Sequence, residues 1–250
     1  MQITKTTKIK NPIVLFLFFS TVLHAQIVDH YPKSQSPYIG GYEAYYKDFH
    51  DIIAENNLQP CKNKNEFYQF HVLITEDASI KFIKDPNEKY VAENKCAYDL
   101  AREVAKYQKG WNPAVVNGVK QNAIATFIIY PDDLFGHYKD GYYPAVTYPV
   151  FGDYKENHLE HFRKELISKL DLRRFRWNDI FTVEAEFTIT KEGKMEDIVL
   201  TKKTGLEEFD RMIFYTYKSI RKKWKPATIN GNPIDFRFKY VLRAITDPTD

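Results

Sequence analysis

Trp111-Asn-Pro-Ala-Val-Val-Asn-Gly118 returns later in the chain as Trp224-Lys-Pro-Ala-Thr-Ile-Asn-Gly231. From Trp111 to Trp224 the interval is 113 residues, too long for a solenoid period and about the size of a small domain. A stretch with helical periodicity precedes each phrase and an alternating strand follows it. Pro113 and Pro226 cannot continue a helix, so each helix must end before its phrase. Trp111 and Trp224 are placed to cover the bottom of a core. Asn117-Gly118 and Asn230-Gly231 are strong turn signals that aim a last strand back along a sheet. These eight residues read as structural anchors of two tandem copies of one module.

Working outward, Pro37-Tyr-Ile-Gly40 pairs with Pro149-Val-Phe-Gly152 at an offset of 112, and Glu43 pairs with Glu156 at 113. Tyr46, Phe49 and Ile53 then share one face of a helix, as do Leu159, Phe162, Leu166 and Leu170 in the second copy. A hairpin follows: Phe70, Val72 and Ile74 alternate with polar residues, turn at Glu76–Ser79 and return through Ile80 and Phe82. In the second copy Val183, Ala185, Phe187 and Ile189 turn at Lys191–Lys194 and return through Met195, Ile198 and Leu200. Gly193 supplies a positive φ at little cost, whereas Ala78 does not, so the first hairpin is expected to use a different turn. Ala97, Leu100, Ala101 and Val104 mark the second helix of one copy; Phe209, Met212, Ile213, Tyr217 and Ile220 mark that of the other. The last strands run from Ile124 to Ile129 and from Ile234 to Leu242. Each module reads helix-strand-strand-helix-strand: an α+β fold with a three-stranded antiparallel sheet and helices on one face. The organisation expected is a leader at 1–25, a first module at 37–131, an ordered-to-flexible linker at 132–148 and a second module at 149–245.

The leader has Lys5, Lys8 and Lys10 before the apolar run Ile13–Leu23, then Ala25 at a plausible cut. That is the pattern of a secretory signal peptide, cleaved after Ala25. The run is shorter than the ~20 residues of a spanning helix, which disfavours an anchor. Without the leader the chain holds 33 basic and 33 acidic side chains. A neutral exported chain has little to draw it to nucleic acid. Cys61 and Cys96 read as one disulfide of an oxidising compartment, worth on the order of 3 kcal/mol, with a pair of buried free thiols as the alternative.

The second copy, with Gly193 in its hairpin, Gly205-Leu-Glu-Glu-Phe209 opening its helix and Trp224-Lys-Pro-Ala-Thr-Ile-Asn-Gly-Asn-Pro233, resembles the C-terminal domain of TonB-type energy transducers. The form is that common among exported Bacteroidetes proteins, and Pro37-Tyr-Ile-Gly-Gly-Tyr-Glu-Ala44 extends the resemblance to the first copy. It covers roughly 37–130 and 149–244. The first copy departs from the pattern at Asn112, where the family carries lysine, and in its alanine-interrupted last strand. The resemblance implies a periplasmic, non-enzymatic module that adds an extended segment of an outer-membrane receptor to a sheet edge. The family's edge is the last strand, here Phe236, Arg237, Phe238, Lys239, Tyr240 and Leu242. A solvated, protective role for the charges at Asp235, Arg237 and Lys239 is the competing reading. The proline-rich arm of a working transducer is missing. Ser20 and His24 have the spacing of the transducer anchor but stand at the end of the apolar run.

Catalytic constellations are not evident. His158 and His161 are three apart, unlike the His-Glu-x-x-His of a metalloprotease, and no third ligand accompanies them. His71 reads as a half-buried strand residue, and Asp132-Asp133 as a solvated turn. Arg221–Lys225 reads as cations at a helix C-terminus. No catalytic residue, metal or cofactor is expected. The expected partner is a protein or peptide segment, with homodimerisation through sheet edges as a further possibility. An anchored transducer component and a self-associating structural protein of the envelope are the alternatives.

Overall fold

Apolar positions at helical and strand spacing build the same framework twice. The computed structural model describes residues 27–28, 31–175 and 180–244. The leader, its cut and the Ser20/His24 pair lie outside the described residues.

In the first module, α1 (Gly41–Glu55) buries Tyr45, Tyr46, Phe49, Ile52 and Ile53. The hairpin of β1 (Tyr68–Ile74) and β2 (Ile80–Phe82) follows. A short α2 (Glu88–Glu93) is capped by Asn87, whose side chain accepts from the Tyr90 N–H. In α3 (Lys95–Ala105), Ala97, Leu100, Ala101, Val104 and Ala105 face inward. A small hairpin, β3 (Ala114–Val116) and β4 (Val119–Gln121), precedes β5 (Ala123–Ile129). The connection contributes β6 (Val146–Thr147) and β7 (Val150–Phe151). The second module then has α4 (His158–Ser168), β8 (Phe181–Ile189), β9 (Met195–Lys202), α5 (Glu207–Ser219), β10 (Trp224–Lys225), β11 (Ala227–Ile229), β12 (Asn232–Ile234) and β13 (Phe236–Ala244).

The main sheets have the orders β2-β1-β5 and β9-β8-β13, all antiparallel, with the last strand of each module at an edge. The helices of each module pack on one face of its sheet, around Phe49, Val72, Phe127 and Trp111 in one core and Phe162, Phe187, Tyr217 and Trp224 in the other. Tyr45 stacks on Phe127 with ring centroids 3.7 Å apart. Trp224 meets Phe151 and Phe162, each at 5.1 Å. Both tryptophans are buried, as the repeated phrase requires. The Asn-Gly pairs take φ of 51° and 77° in one copy and 50° and 81° in the other. Both central residues are thus left-handed, as a type I′ turn demands. These turns close the small hairpins β3–β4 and β11–β12, and the last strand starts only after them.

Several expectations are corrected. Tyr38 lies opposite Trp111, and Phe151 opposite Trp224, so the modules align at an offset of 113 before α1 as well, not 112. The tryptophan backbone fixes that register. Ala78 adopts φ 65°, next to 78° for Gly193, and the two turns are alike. Thr75 N–H donates to Ser79 O and Ala78 N–H to Thr75 O, both at 2.9 Å, as Thr190 and Gly193 do at 2.8 and 2.7 Å. The Asp77 carboxylate, accepting from the Ser79 N–H and hydroxyl, holds the strained alanine in place. Ala78→Gly is expected to raise stability by about 1 kcal/mol by removing the Cβ penalty. A urea titration showing no gain would contradict this. Leu159, expected inside, is exposed. Its counterpart Tyr46 is covered by Tyr142 and Tyr143, which follow the first module.

The segment 132–148 is built into the fold. β6 extends the β11–β12 hairpin, and Asp133 is buried, accepting from the Tyr142 hydroxyl and the Asn230 side-chain amide. It is therefore no solvated turn. Cys61 and Cys96 form the disulfide. No helix of the described residues is long and apolar enough to cross a membrane.

Candidate functional site

A sheet edge can accept a strand only where its outward N–H and C=O groups are unmet. Each main sheet has two edges, and the four differ. β2 is three residues long, too short a template for stable pairing. β5 is engaged near both ends by its own chain. Val28 pairs with it in parallel, donating to Asn122 O at 2.8 Å and accepting from Ile124 N–H at 3.0 Å. Further along, the Tyr46 hydroxyl donates to Ile128 O at 3.0 Å and accepts from Ile128 N–H at 3.2 Å. Burial holds the Tyr46 pKa well above its ordinary value, so the hydroxyl keeps the proton this double cap needs. β9 is interrupted by two irregularities, one at Asp197 with φ 51°.

β13 is long and regularly paired along its inner side, from Phe236 opposite Ile189 to Ala244 opposite Phe181. Its outer side is occupied at the start. The Gln69 side-chain amide donates to Arg237 O at 3.0 Å and accepts from Arg237 N–H at 2.7 Å, standing in for a neighbouring strand. The Arg237 side chain is buried against Asp85 of the first module and Glu186 of the second. Asp85 also accepts from the Tyr68 hydroxyl at 3.0 Å, and the Arg237 guanidinium lies 5.5 Å from the centre of the Tyr90 ring. Phe236 joins Phe67, Ile128, Ala227 and Ile229 in an apolar cluster between the modules. Phe236 and Arg237 are thus withdrawn from the expected binding edge, and Arg237 is not a solvated charge.

Alternate residues of an antiparallel edge direct both backbone groups to the same side. Because those of Arg237 point outward, those of Lys239, Val241 and Arg243 do too. Phe238, Tyr240 and Leu242 bond inward to β8 and pack against the module core, so of the residues expected at the site only Arg237, already capped, and Lys239 direct their backbone outward. Sequence reasoning passed over Val241 and Arg243. Val241 is the equivalent of Ile128, yet Leu159 stands where Tyr46 caps Ile128. No hydrogen bond meets the Val241 or Arg243 backbone from among the described residues, and Leu159 is 38% exposed. The Tyr46/Leu159 difference is legible in the sequence once the copies are aligned at 113. Beside the open segment, a cleft of about 150 Å³ runs between Phe238 and Lys239 on one side and His71, Ile124 and Thr126 on the other. Lys239 pairs with Glu184 at 2.7 Å, and His71 Nδ1 lies 2.9 Å from the Thr126 hydroxyl.

No protein-family model, curated protein or solved structure matches the chain.

The other polar groups singled out in the sequence have local duties. His158 Nδ1 accepts from the Phe151 N–H at 3.3 Å, and His161 stacks on Tyr154 at 3.6 Å. Burial lowers the His158 pKa. A depressed histidine pKa means stability that is complete above the ordinary value of 6.5 and is lost as the pH falls through the lowered one. The melting temperature should therefore fall as the pH drops from 6.5 toward the lowered value, and His158→Phe should flatten the dependence. An unchanged slope would contradict the assignment. The sulfurs of Cys61 and Cys96 lie close to Glu66, but they are bonded to each other, and Glu66 accepts from the Cys96 and Ala97 N–H groups at the start of α3. These atoms are already engaged and do not form a metal site.

Proposed function

We propose that this protein is a non-enzymatic module of the cell envelope, exported to the periplasm, that takes an extended segment of an outer-membrane receptor or another envelope protein as an added strand on β13. The observation that carries the reading is the uncapped backbone of Val241, with exposed Leu159 at the repeat position from which Tyr46 closes the equivalent residue, Ile128, in the first module. The resemblance to TonB C-terminal domains points to the same edge. The disulfide suits an oxidising compartment. In this reading the second module binds, and the first supports it by fixing the start of β13 and lining the cleft.

Val241 and Arg243 offer up to four backbone hydrogen bonds, each contributing about 0.5–1.5 kcal/mol net. Apolar burial against Leu159 adds to that, and the expected affinity is micromolar to millimolar. The test is an anisotropy titration with labelled peptides covering the periplasmic N-terminal segments of outer-membrane receptors. Binding that is lost in Val241→Pro, with the melting temperature largely kept, is the expected result. Proline removes an outward N–H that the β8 ladder does not use. Peptides that fail to bind at ~1 mM, or bind the proline variant equally well, would sink the proposal.

A further inference from the structure

The second long edge of this module, β9, reads Glu196-Asp-Ile-Val-Leu-Thr-Lys202, negative at one end and positive at the other. Its two irregularities fall symmetrically. Thr188 faces Glu196, Glu186 faces Val199 and Glu184 faces Lys202, so β9 advances three residues for every two of β8 on both sides of Val199. As a result Glu196, Val199 and Lys202 share the outer face. Met195, Ile198 and Leu200 turn toward the module core. Val199 is 42% exposed, and neither Glu196 nor Lys202 has an ion-pair partner among the described residues. An open apolar groove of about 530 Å³, lined by Ile198, Leu200 and Phe214, runs between this edge and α5.

A bulged edge deters a regular strand. It does not deter a strand with the same irregularities in mirrored places. Two β9 strands placed antiparallel about Val199 bring Glu196 of each copy opposite Lys202 of the other. Val199 then meets Val199, and Ile198 meets Leu200. Glu196 and Lys202 each find an opposite charge, the extra residues Asp197 and Thr201 face one another, and Asp197 keeps its own partner, Lys89, at 3.6 Å. We propose that β9 is a self-association edge, through which two copies of this chain pair about a twofold axis at Val199. Such a contact is isologous and closes at two copies. It leaves β13 free, so each dimer presents two partner edges.

The facing Val199 residues form a non-hydrogen-bonded pair, because their backbone groups point into their own sheets; such pairs bring Cα atoms to about 4.5 Å. Both native cysteines are bonded, so Val199→Cys introduces the sole reactive thiol. Mild oxidation of that variant should give a disulfide-linked dimer much faster than a control thiol placed at exposed Tyr215. In sedimentation of the full mature chain, Lys202→Glu should weaken the dimer about tenfold or more, since two attractions become two repulsions. The double variant Glu196→Lys/Lys202→Glu should restore it. An unmodified protein that stays monomeric at ~1 mM, a dimer indifferent to Lys202→Glu, or cross-linking of Val199→Cys no faster than the control would overturn the proposal.

Discussion

Arg237→Ala should cost about 3–5 kcal/mol of stability, among the largest losses expected from any single substitution in this chain. The guanidinium is buried between Asp85 and Glu186. Removing it leaves two carboxylates close together in an interface that water reaches poorly. The loss is thus mostly the cost of stranded charge, not the net worth of the ion pairs. The two modules should also part more readily, because the cluster of Phe67, Ile128 and Phe236 adjoins the same contact. Chemical denaturation of wild type and variant measures the effect. A replacement that also neutralises the acids, Arg237→Met with Asp85→Asn and Glu186→Gln, should recover much of the loss. A cost below about 1 kcal/mol for Arg237→Ala would mean that the cluster behaves as a solvated surface pair.

Trp224→Ala should cost a similar amount, about 3–5 kcal/mol, for a different reason. The indole fills the centre of the second core against Phe151, Phe162 and Phe238, and no smaller side chain reaches them all. Its backbone is tied as well: Trp224 N–H donates to Gly193 O at 2.9 Å, and a Cβ at position 193 would fall 2.1 Å from the Trp224 carbonyl oxygen. The hairpin turn and the repeated phrase therefore constrain one another, which explains why glycine stands at 193. The tryptophan is an anchor, so peptide affinity should fall only in proportion to the fraction unfolded. A folded Trp224→Ala protein that has lost binding would move the site into the core and refute the present assignment.

Much of the architecture was legible in the sequence because it rests on local rules. The period-3.6 and period-2 patterns placed α1, α3, α4, α5 and all three main strands of each module, and the two prolines required only that the second helices stop before the repeated phrase; α2 and the small hairpins went unread. The contact between the modules was not legible. Gln69 occupies an ordinary polar slot of an alternating strand, and Arg237 looks the same as Lys239 two residues on. Only the approach of the first module's outer sheet face buries Arg237 and leaves Lys239 at the rim. Asp133 was misread for the same reason, since its partner Asn230 lies 97 residues away. At Ala78, local conformational preference gave way to the hydrogen bonds around Asp77. The candidate site fell between these cases. The choice of β13 came from the resemblance, while the location of its open stretch depended on comparing Leu159 with Tyr46 across the repeat.

Site-resolved amide hydrogen exchange tests the central claim, that β13 is open at Val241 and Arg243 and receives the partner there. In the free protein the Val241 and Arg243 amides should exchange far faster than those of Ile128 and Arg237, which are capped by Tyr46 and Gln69. Addition of a binding receptor peptide should protect Val241 and Arg243 and leave Ile128 unchanged. Protection confined to β5 or β9, or Val241 already as protected as Ile128 in the free protein, would contradict the account.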